Sequence, residues 1–239
     1  MANRYLDEHI ASASVGDRVT IAGPEARHAV TVSRLRVGET VSVGNGAGAV
    51  FEGTVVAAEP ASFEFEVHAV TVTERSGPAV ILAQALAKGD RDELAIQAAT
   101  ELGVDAVIPW SAGRSIVRWE GAKAAKGVDR WAAVVREATK QSMRAWLPDV
   151  LDLVGTRQLA LLAAETRMLV LTGAAEARLT DIHVDDRDLL LVVGPEGGIG
   201  DDELAVLGGE AVRLGPEVLR TSTAGPAAIA VLNAKLGRW

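Results

Sequence analysis

Between residues 15 and 72, apolar and polar side chains alternate at every second position in four short runs, VGDRVTIAG, VGETVSVGNGAG, AVFEGTVVAAEP and SFEFEVHAV. Alternation with period two marks strands with one buried face, and short strands joined by glycine-bearing turns predict a small β-barrel. The polar stretch TERSGP, residues 73 to 78, is rich in turn formers and predicts a boundary, giving a first domain over 1–74 and a second over 75–239. Beyond it the periodicity changes. AVILAQALA (79 to 87) is continuously apolar, DELAIQAATELG (92 to 103) has helical spacing and stops at glycine, and VDAVIPW (104 to 110) again reads as strand. RMLVLT (167 to 172), LLLVV (189 to 193) and AVRLG (211 to 215) predict three further strands, each followed by a loop and a helical pattern. Apolar strands alternating with helices predict an α/β fold whose parallel sheet is covered by helices.

Composition narrows the class. A chain of 239 residues can bury one large core or two modest ones, and the change of texture near residue 75 favours two. Hydrophobic residues make up 49% and charged residues 23%, the balance of a soluble globular protein, and no apolar run reaches the roughly 20 residues a bilayer requires. The start, MANRYLDEHI, has neither a secretion-signal nor a transit-peptide layout, so a cytoplasmic location is expected. Cysteine is absent and the four histidines stand singly, which excludes disulfides and thiolate metal sites and makes a structural metal unexpected. The net charge of −8 excludes a protein that coats nucleic acid indiscriminately, although a local basic patch can still dock a phosphate backbone.

Charge is unevenly spread. Residues 108–147 hold eight Lys or Arg (Arg114, Arg118, Lys123, Lys126, Arg130, Arg136, Lys140, Arg144) against three acids, with four of the five tryptophans. Basic residues interleaved with aromatics suit RNA, through phosphate contacts and base stacking. The same pattern also fits an amphipathic helix whose Trp131, Val134 and Val135 face a core. Arg27, His28, Arg34 and Arg36 form a second basic stretch, free of acids, in an otherwise acidic first domain.

Three of the expected strands end in turn-prone sequence: LTGAAE (171 to 176), GPEGGIG (194 to 200) and GPEVLRTSTAG (215 to 225). Open α/β sheets bind ligands beyond the carboxyl ends of their strands, so these loops are expected to share one crevice. Neither the dinucleotide pattern G-x-G-x-x-G nor a P-loop is present. The helix expected after Gly200 opens with Asp201, Asp202 and Glu203, which satisfy its dipole and repel phosphate. A neutral or cationic ligand remains compatible, as does the plain alternative of ordinary strand-to-helix turns.

LVVGPEGGIGDDEL followed by RLGPEVLRTSTA resembles the paired signature of the SPOUT superfamily of S-adenosylmethionine-dependent RNA methyltransferases, and specifically the RsmE family that methylates uridine N3 in 16S ribosomal RNA. ALAKGDRDELAIQAATELGVDAVIPW, SAGRSIVRW, REATKQSMRAWLP and RHAVTVSRLRVGE resemble that family in the same order, so the likeness spans nearly the whole chain. It implies a PUA-like barrel for RNA docking over 1–74 and a methyltransferase domain over 75–239 whose chain threads a trefoil knot, a topology that physical expectation alone would reject. It also implies a homodimer with its active site at the subunit interface. The donor pocket it implies is lined by Leu171, Thr172 and Gly173, by Gly194, Pro195, Glu196, Gly197 and Gly198, and by Leu214, Gly215, Leu219 and Thr221, mainly through backbone.

Methyl transfer from a sulfonium needs no metal and no covalent enzyme intermediate, so positioning and electrostatics carry it. Loss of the uracil N3 proton spreads negative charge onto the ring oxygens, which a fixed cation stabilises. The resemblance assigns that part to Arg220, where the alternative is a solvated arginine or one paired with Glu217. Glu196 either accepts hydrogen bonds from base or donor or caps its loop. Arg114, Arg118, Gln141 and Arg144, with Arg27, His28, Arg34 and Arg36, are the RNA contacts implied. Many members read R-T-E-T-A where this chain has Arg220, Thr221, Ser222, Thr223 and Ala224, so a carboxylate common there is missing. Pro226 is expected in the first turn of the following helix. A non-catalytic RNA-binding protein on the same fold remains the main rival. A dinucleotide-dependent oxidoreductase is disfavoured by the loop chemistry.

Overall fold

The computed structural model describes residues 4–239. The first three residues of the MANRYLDEHI start therefore lie outside the described residues. The chain forms two compact units, one of Met1–Ser76 with Thr139–Leu147 and one of Gly77–Ala138 with Pro148–Trp239. Where the sequence divides the chain once, near 74, contacts return the 139–147 stretch to the first unit.

The first unit contains β1 (Arg4–Leu6), β2 (Arg18–Ala22), α1 (Gly23–Arg27), a π-helical turn at His28–Val32, then β3 (Thr40–Gly44), β4 (Ala49–Glu59) and β5 (Ser62–Val72). The sheet runs β1-β3-β4-β5-β2, with β1 parallel to β3 and the other pairs antiparallel. Along β5 the buried residues are Phe63, Phe65 and Val67, the alternation its sequence predicts. These meet Tyr5, Ile21, Val41, Val43, Phe51 and Val55 in one core, with the Tyr5 and Phe63 rings 5.6 Å apart. Each such side chain contributes about 1.5–3 kcal/mol by leaving water. Irregular register between Glu52 and Gly53 and between Val55 and Ala57 bends β4, as bulges do. Gly53 is obligatory there, since a Cβ would stand 2.2 Å from the Glu66 carbonyl oxygen.

The second unit holds β6 (Val80–Ala85), α2 (Arg91–Glu101), β7 (Ala106–Ser111) and most of α3 (Ala122–Gln141). Then come β8 (Asp149–Val150), β9 (Val154–Gly155), α4 (Thr156–Leu161), β10 (Arg167–Leu171), β11 (Leu189–Val193), α5 (Asp201–Leu207), β12 (Glu210–Val212) and α6 (Thr221–Lys235). The sheet is parallel throughout, in the order β12-β10-β11-β6-β7-β8, with β9 also pairing to β7. All five residues of β11 are buried because both faces are covered. Leu190 and Val192 join Leu159 of α4 and Leu207 of α5 in one core, while Val193 and Leu82 face α6 at Gly225.

Two local expectations need correction. No helix follows β10. The backbone of residues 177–179 instead pairs with the continuation of β12, through Leu179 N to Arg213 O at 2.8 Å and Arg213 N to Ala177 O at 2.9 Å, which takes up the groups a helix would have used. Pro226 lies in the second turn of α6, because the Arg220 carbonyl already accepts from Thr223 N and Ala224 N at 2.9 Å and starts the helix at Thr221. Among the described residues no helix is long and apolar enough to cross a membrane.

Candidate functional site

A cavity of about 380 Å³ opens in the second unit where β10 and β11 end. Leu171, Thr172 and Gly173 line it after β10, and Gly194, Pro195, Glu196 and Gly198 after β11. Val218, Leu219 and Arg220 approach from the segment beyond β12, and Thr221 from the first turn of α6. Leu214 and Gly215 line an adjoining recess of about 120 Å³ that shares Leu171–Gly173 and Leu219. The three loops thus converge. Gly197, expected among the lining residues, lines neither space.

A polar bridge runs beneath the cavity. Gln84, at the end of β6 and fully buried, donates from Nε2 to Thr221 Oγ1 at 2.8 Å, and that hydroxyl donates to the Gly194 carbonyl at 2.9 Å. One side chain on β6 thereby fixes both the start of α6 and the loop after β11. The Gln84 Oε1 has no hydrogen-bond partner.

Glu196 turns back toward the loop that precedes α2. Its Oε1 accepts from Arg91 Nη1 at 2.7 Å and from Lys88 N at 3.2 Å. Partial burial pushes its carboxyl up, but hydrogen bonds from its own backbone, from Arg91 and from Lys88, with the Arg91 charge, outweigh that and hold it below the ordinary glutamate value. A carboxylate so held is a poor proton acceptor and a good strut. Arg91 itself lines the cavity.

Arg220 differs from Arg91, the other arginine of this cavity. Its side chain is exposed at the amino end of α6, and among the described residues it makes no hydrogen bond or ion pair, Glu217 included. Ser222 stands in the first turn of α6, which carries no acid. The cavity therefore offers one uncommitted cation, one committed carboxylate and a lining of glycines and mainly apolar side chains.

The residues expected to meet RNA are divided. Arg27 and His28 on α1 and its π-turn, and Arg34 and Arg36 in the loop that follows, are exposed on the first unit. Gln141 and Arg144 belong to the 139–147 stretch of the same unit. That stretch is anchored by Lys140, whose Nζ lies 3.2 Å from Glu25 Oε2 with side chains 8% and 13% exposed, so Lys140 is an interior cation and no part of a basic surface. Trp146 Nε1 donates to Thr73 O at 2.8 Å, and the Arg75 guanidinium sits 4.4 Å from the Trp146 ring centroid. Arg114 and Arg118, in the second unit, spend their guanidinium groups on loop carbonyls. Trp110 and Trp131 are fully buried, and Trp119 packs edge-on against Trp131 at 5.6 Å, so base stacking is closed to the buried pair.

Sequence reasoning missed Gln84, Lys88 and Arg91, the first on β6 and the others just beyond it, at a strand end it left out. A lone glutamine inside the apolar run AVILAQALA was an available signal, since buried amides are held for their hydrogen bonds.

Residues 74–233 match the family model for an RNA methyltransferase domain, and residues 21–67 match that for an RNA methyltransferase PUA domain. The chain is 42% identical over 233 residues to a ribosomal RNA small subunit methyltransferase E from Mycobacterium bovis, covering 94% of this chain and 89% of that protein. It is 32% identical to the protein of that name from Bacillus subtilis, over 86% and 85% of the two chains. The crystal structure of a ribosomal RNA small subunit methyltransferase E from Neisseria gonorrhoeae bound to S-adenosyl methionine superposes with a TM-score of 0.88 at 31% identity, covering 98% of each chain.

Proposed function

The chain belongs to the RNA methyltransferase family of ribosomal RNA small subunit methyltransferase E, and from that membership we propose that it transfers a methyl group from S-adenosylmethionine to N3 of a uridine in 16S ribosomal RNA. The observation that carries the reading is the cavity at the strand ends, lined by glycines and mainly apolar side chains and overlooked by the uncommitted Arg220. Its volume of about 380 Å³ suits a compact small molecule, within the roughly 300–1,000 Å³ usual for such sites. The donor, when bound, supplies an electrophilic methyl group on a sulfonium.

This chain's own residues do the rest. Leu171 to Gly173, Gly194, Gly198 and Leu219 present backbone and apolar surface to hold the donor, with Leu214 and Gly215 in the adjoining recess. Thr221 holds the Gly194 carbonyl in place. Glu196 stays ionised on Arg91 and shapes the loop, so it is not the group that takes the N3 proton. Arg220 places its guanidinium against the ring oxygens as negative charge develops there, a stabilisation strongest in a site that excludes water.

RNA docking falls to the first unit, a PUA-like domain, through Arg27, His28, Arg34, Arg36, Gln141 and Arg144. The family likeness further supports a homodimer with shared active sites, a trefoil-knotted chain in the second unit, and work in the cytoplasm on the small ribosomal subunit. The rival of a non-catalytic binding protein loses ground, since the relatives matched over most of the chain are named as methyltransferases.

The test is direct. Small subunits lacking the modification are incubated with the protein and isotopically labelled S-adenosylmethionine, and nucleosides are resolved by mass spectrometry. Labelled 3-methyluridine is expected. Donor binding with no transfer to the RNA defeats the reading.

A further inference from the structure

We propose that Arg114 is a positioning residue of the donor pocket, holding the 194–200 loop in its binding shape, and not a contact for RNA. The inference rests on the reading of the cavity as the S-adenosylmethionine site.

Arg114 lies in the segment between β7 and α3, and its Nη1 donates to the Gly197 carbonyl at 3.1 Å. Side chain and loop are pressed together. A Cβ on Gly197 would come 3.2 Å from Arg114 Cβ and 3.5 Å from the Arg114 carbonyl oxygen, and a Cβ on Gly200 would come 3.4 Å from Nη2 and 3.6 Å from Cζ. Neither glycine lines the cavity. They make room for the arginine, which accounts for two glycines of GPEGGIG that ligand contact leaves unexplained.

The base from which Arg114 reaches is itself fixed. Glu203 Oε1 accepts from Gly113 N at 2.8 Å and from Thr156 Oγ1 at 2.6 Å. Arg118 donates to Ser111 Oγ at 3.1 Å, to the Ala112 carbonyl at 2.6 Å and to the Gly113 carbonyl at 2.9 Å. Ser115 beside it is buried. Arg114 therefore ties a braced segment to Gly197, whose neighbours Glu196 and Gly198 both line the cavity. The glycine-rich 194–200 loop has few side chains of its own to stiffen it, and a loop left loose would be ordered only at the expense of ligand affinity. A charge-assisted hydrogen bond from outside the pocket meets that need.

The experiment uses the full chain with Arg114→Ala, Arg114→Lys and Gly197→Ala. Calorimetric titration with S-adenosylmethionine gives donor affinity, filter binding of small-subunit RNA without donor gives RNA affinity, and circular dichroism confirms folding. Arg114→Ala is expected to raise the donor Kd about tenfold, with Arg114→Lys between it and the native protein. Gly197→Ala, which crowds Arg114 from the other side, is expected to raise it in the same direction. Donor-free RNA affinity stays at the native value, and kcat at saturating donor stays close to native while KM for donor rises. Unchanged donor affinity in the folded variants overturns the proposal, whether or not RNA affinity falls. So does a fall in RNA affinity equal to that in donor affinity. Absence of donor binding by the native protein would instead defeat the reading on which the proposal rests.

Discussion

The hydroxyl of Thr221 is hydrogen-bonded to the main-chain carbonyl of Gly194 at 2.9 Å, joining the first turn of the last helix to the loop after the central strand. Two segments that close one cavity are thus locked by a single group, which in turn is held by Gln84.

Removing that group while keeping its volume should be costly. Thr221→Val takes the donor from the Gly194 carbonyl and leaves Gln84 Nε2 only the Ala85 carbonyl, at 3.2 Å, and a buried polar group so stranded costs about 1–3 kcal/mol. Urea denaturation should show the loss, with weaker donor binding, while Thr221→Ser stays near native.

Arg220→Ala should lower kcat about 10²-fold or more, with donor affinity nearly unchanged, because no other side chain depends on that guanidinium for a hydrogen bond. Single-turnover transfer to 16S ribosomal RNA measures the first quantity and calorimetry the second. Equal losses in both would place Arg220 in donor binding.

Glu196 gives a pH signature. Its folded-state pKa is lowered, so its contribution to stability is fully present above the ordinary glutamate value and is lost as pH falls through the lowered one. Glu196→Gln should therefore melt below the native protein at neutral pH, and the two melting curves should converge in acid. Arg91→Ala should shrink the same difference without abolishing it, since the backbone N–H groups of Glu196 and Lys88 still hold the carboxylate. A gap that persists undiminished at acid pH would sink this account.

The Glu25–Lys140 pair predicts an asymmetry in the first unit. Glu25→Ala takes the carboxylate from beside an interior ammonium and an acceptor, at 3.1 Å, from Leu6 N, for a loss of about 3–5 kcal/mol. Replacing both partners, Glu25→Leu with Lys140→Met, should cost clearly less than the single change. Chemical denaturation of the three proteins decides it.

Much of this molecule is legible in its sequence where geometry is local. Period two in SFEFEVHAV and the unbroken LLLVV predict β5 and β11 because strand periodicity and two-sided burial act residue by residue. Long-range pairing is not legible in this way. Helix-prone sequence after β10 is overridden by backbone bonds to Arg213, and nothing near Arg114 in the chain announces a partner 83 residues away. The basic and aromatic texture around Trp131 and Lys140 suits RNA equally well, yet burial assigns both to the interior. Composition records which groups are charged. It does not record which of them a distant carboxylate has already claimed.

The return of Thr139–Leu147 to the first unit sets an order of maturation during synthesis. All strands of the amino-terminal sheet have emerged by Val72, yet Glu25 still lacks Lys140, Gly48 N still lacks the Ala145 carbonyl, and Thr73 O still lacks Trp146. The sheet can assemble early but gains these contacts only once the chain has been translated through Leu147. A fragment cut at residue 76 should therefore resemble the nascent state, with a bare ammonium partner site and an exposed seam, and adding residues 139–147 as a separate peptide should restore its stability.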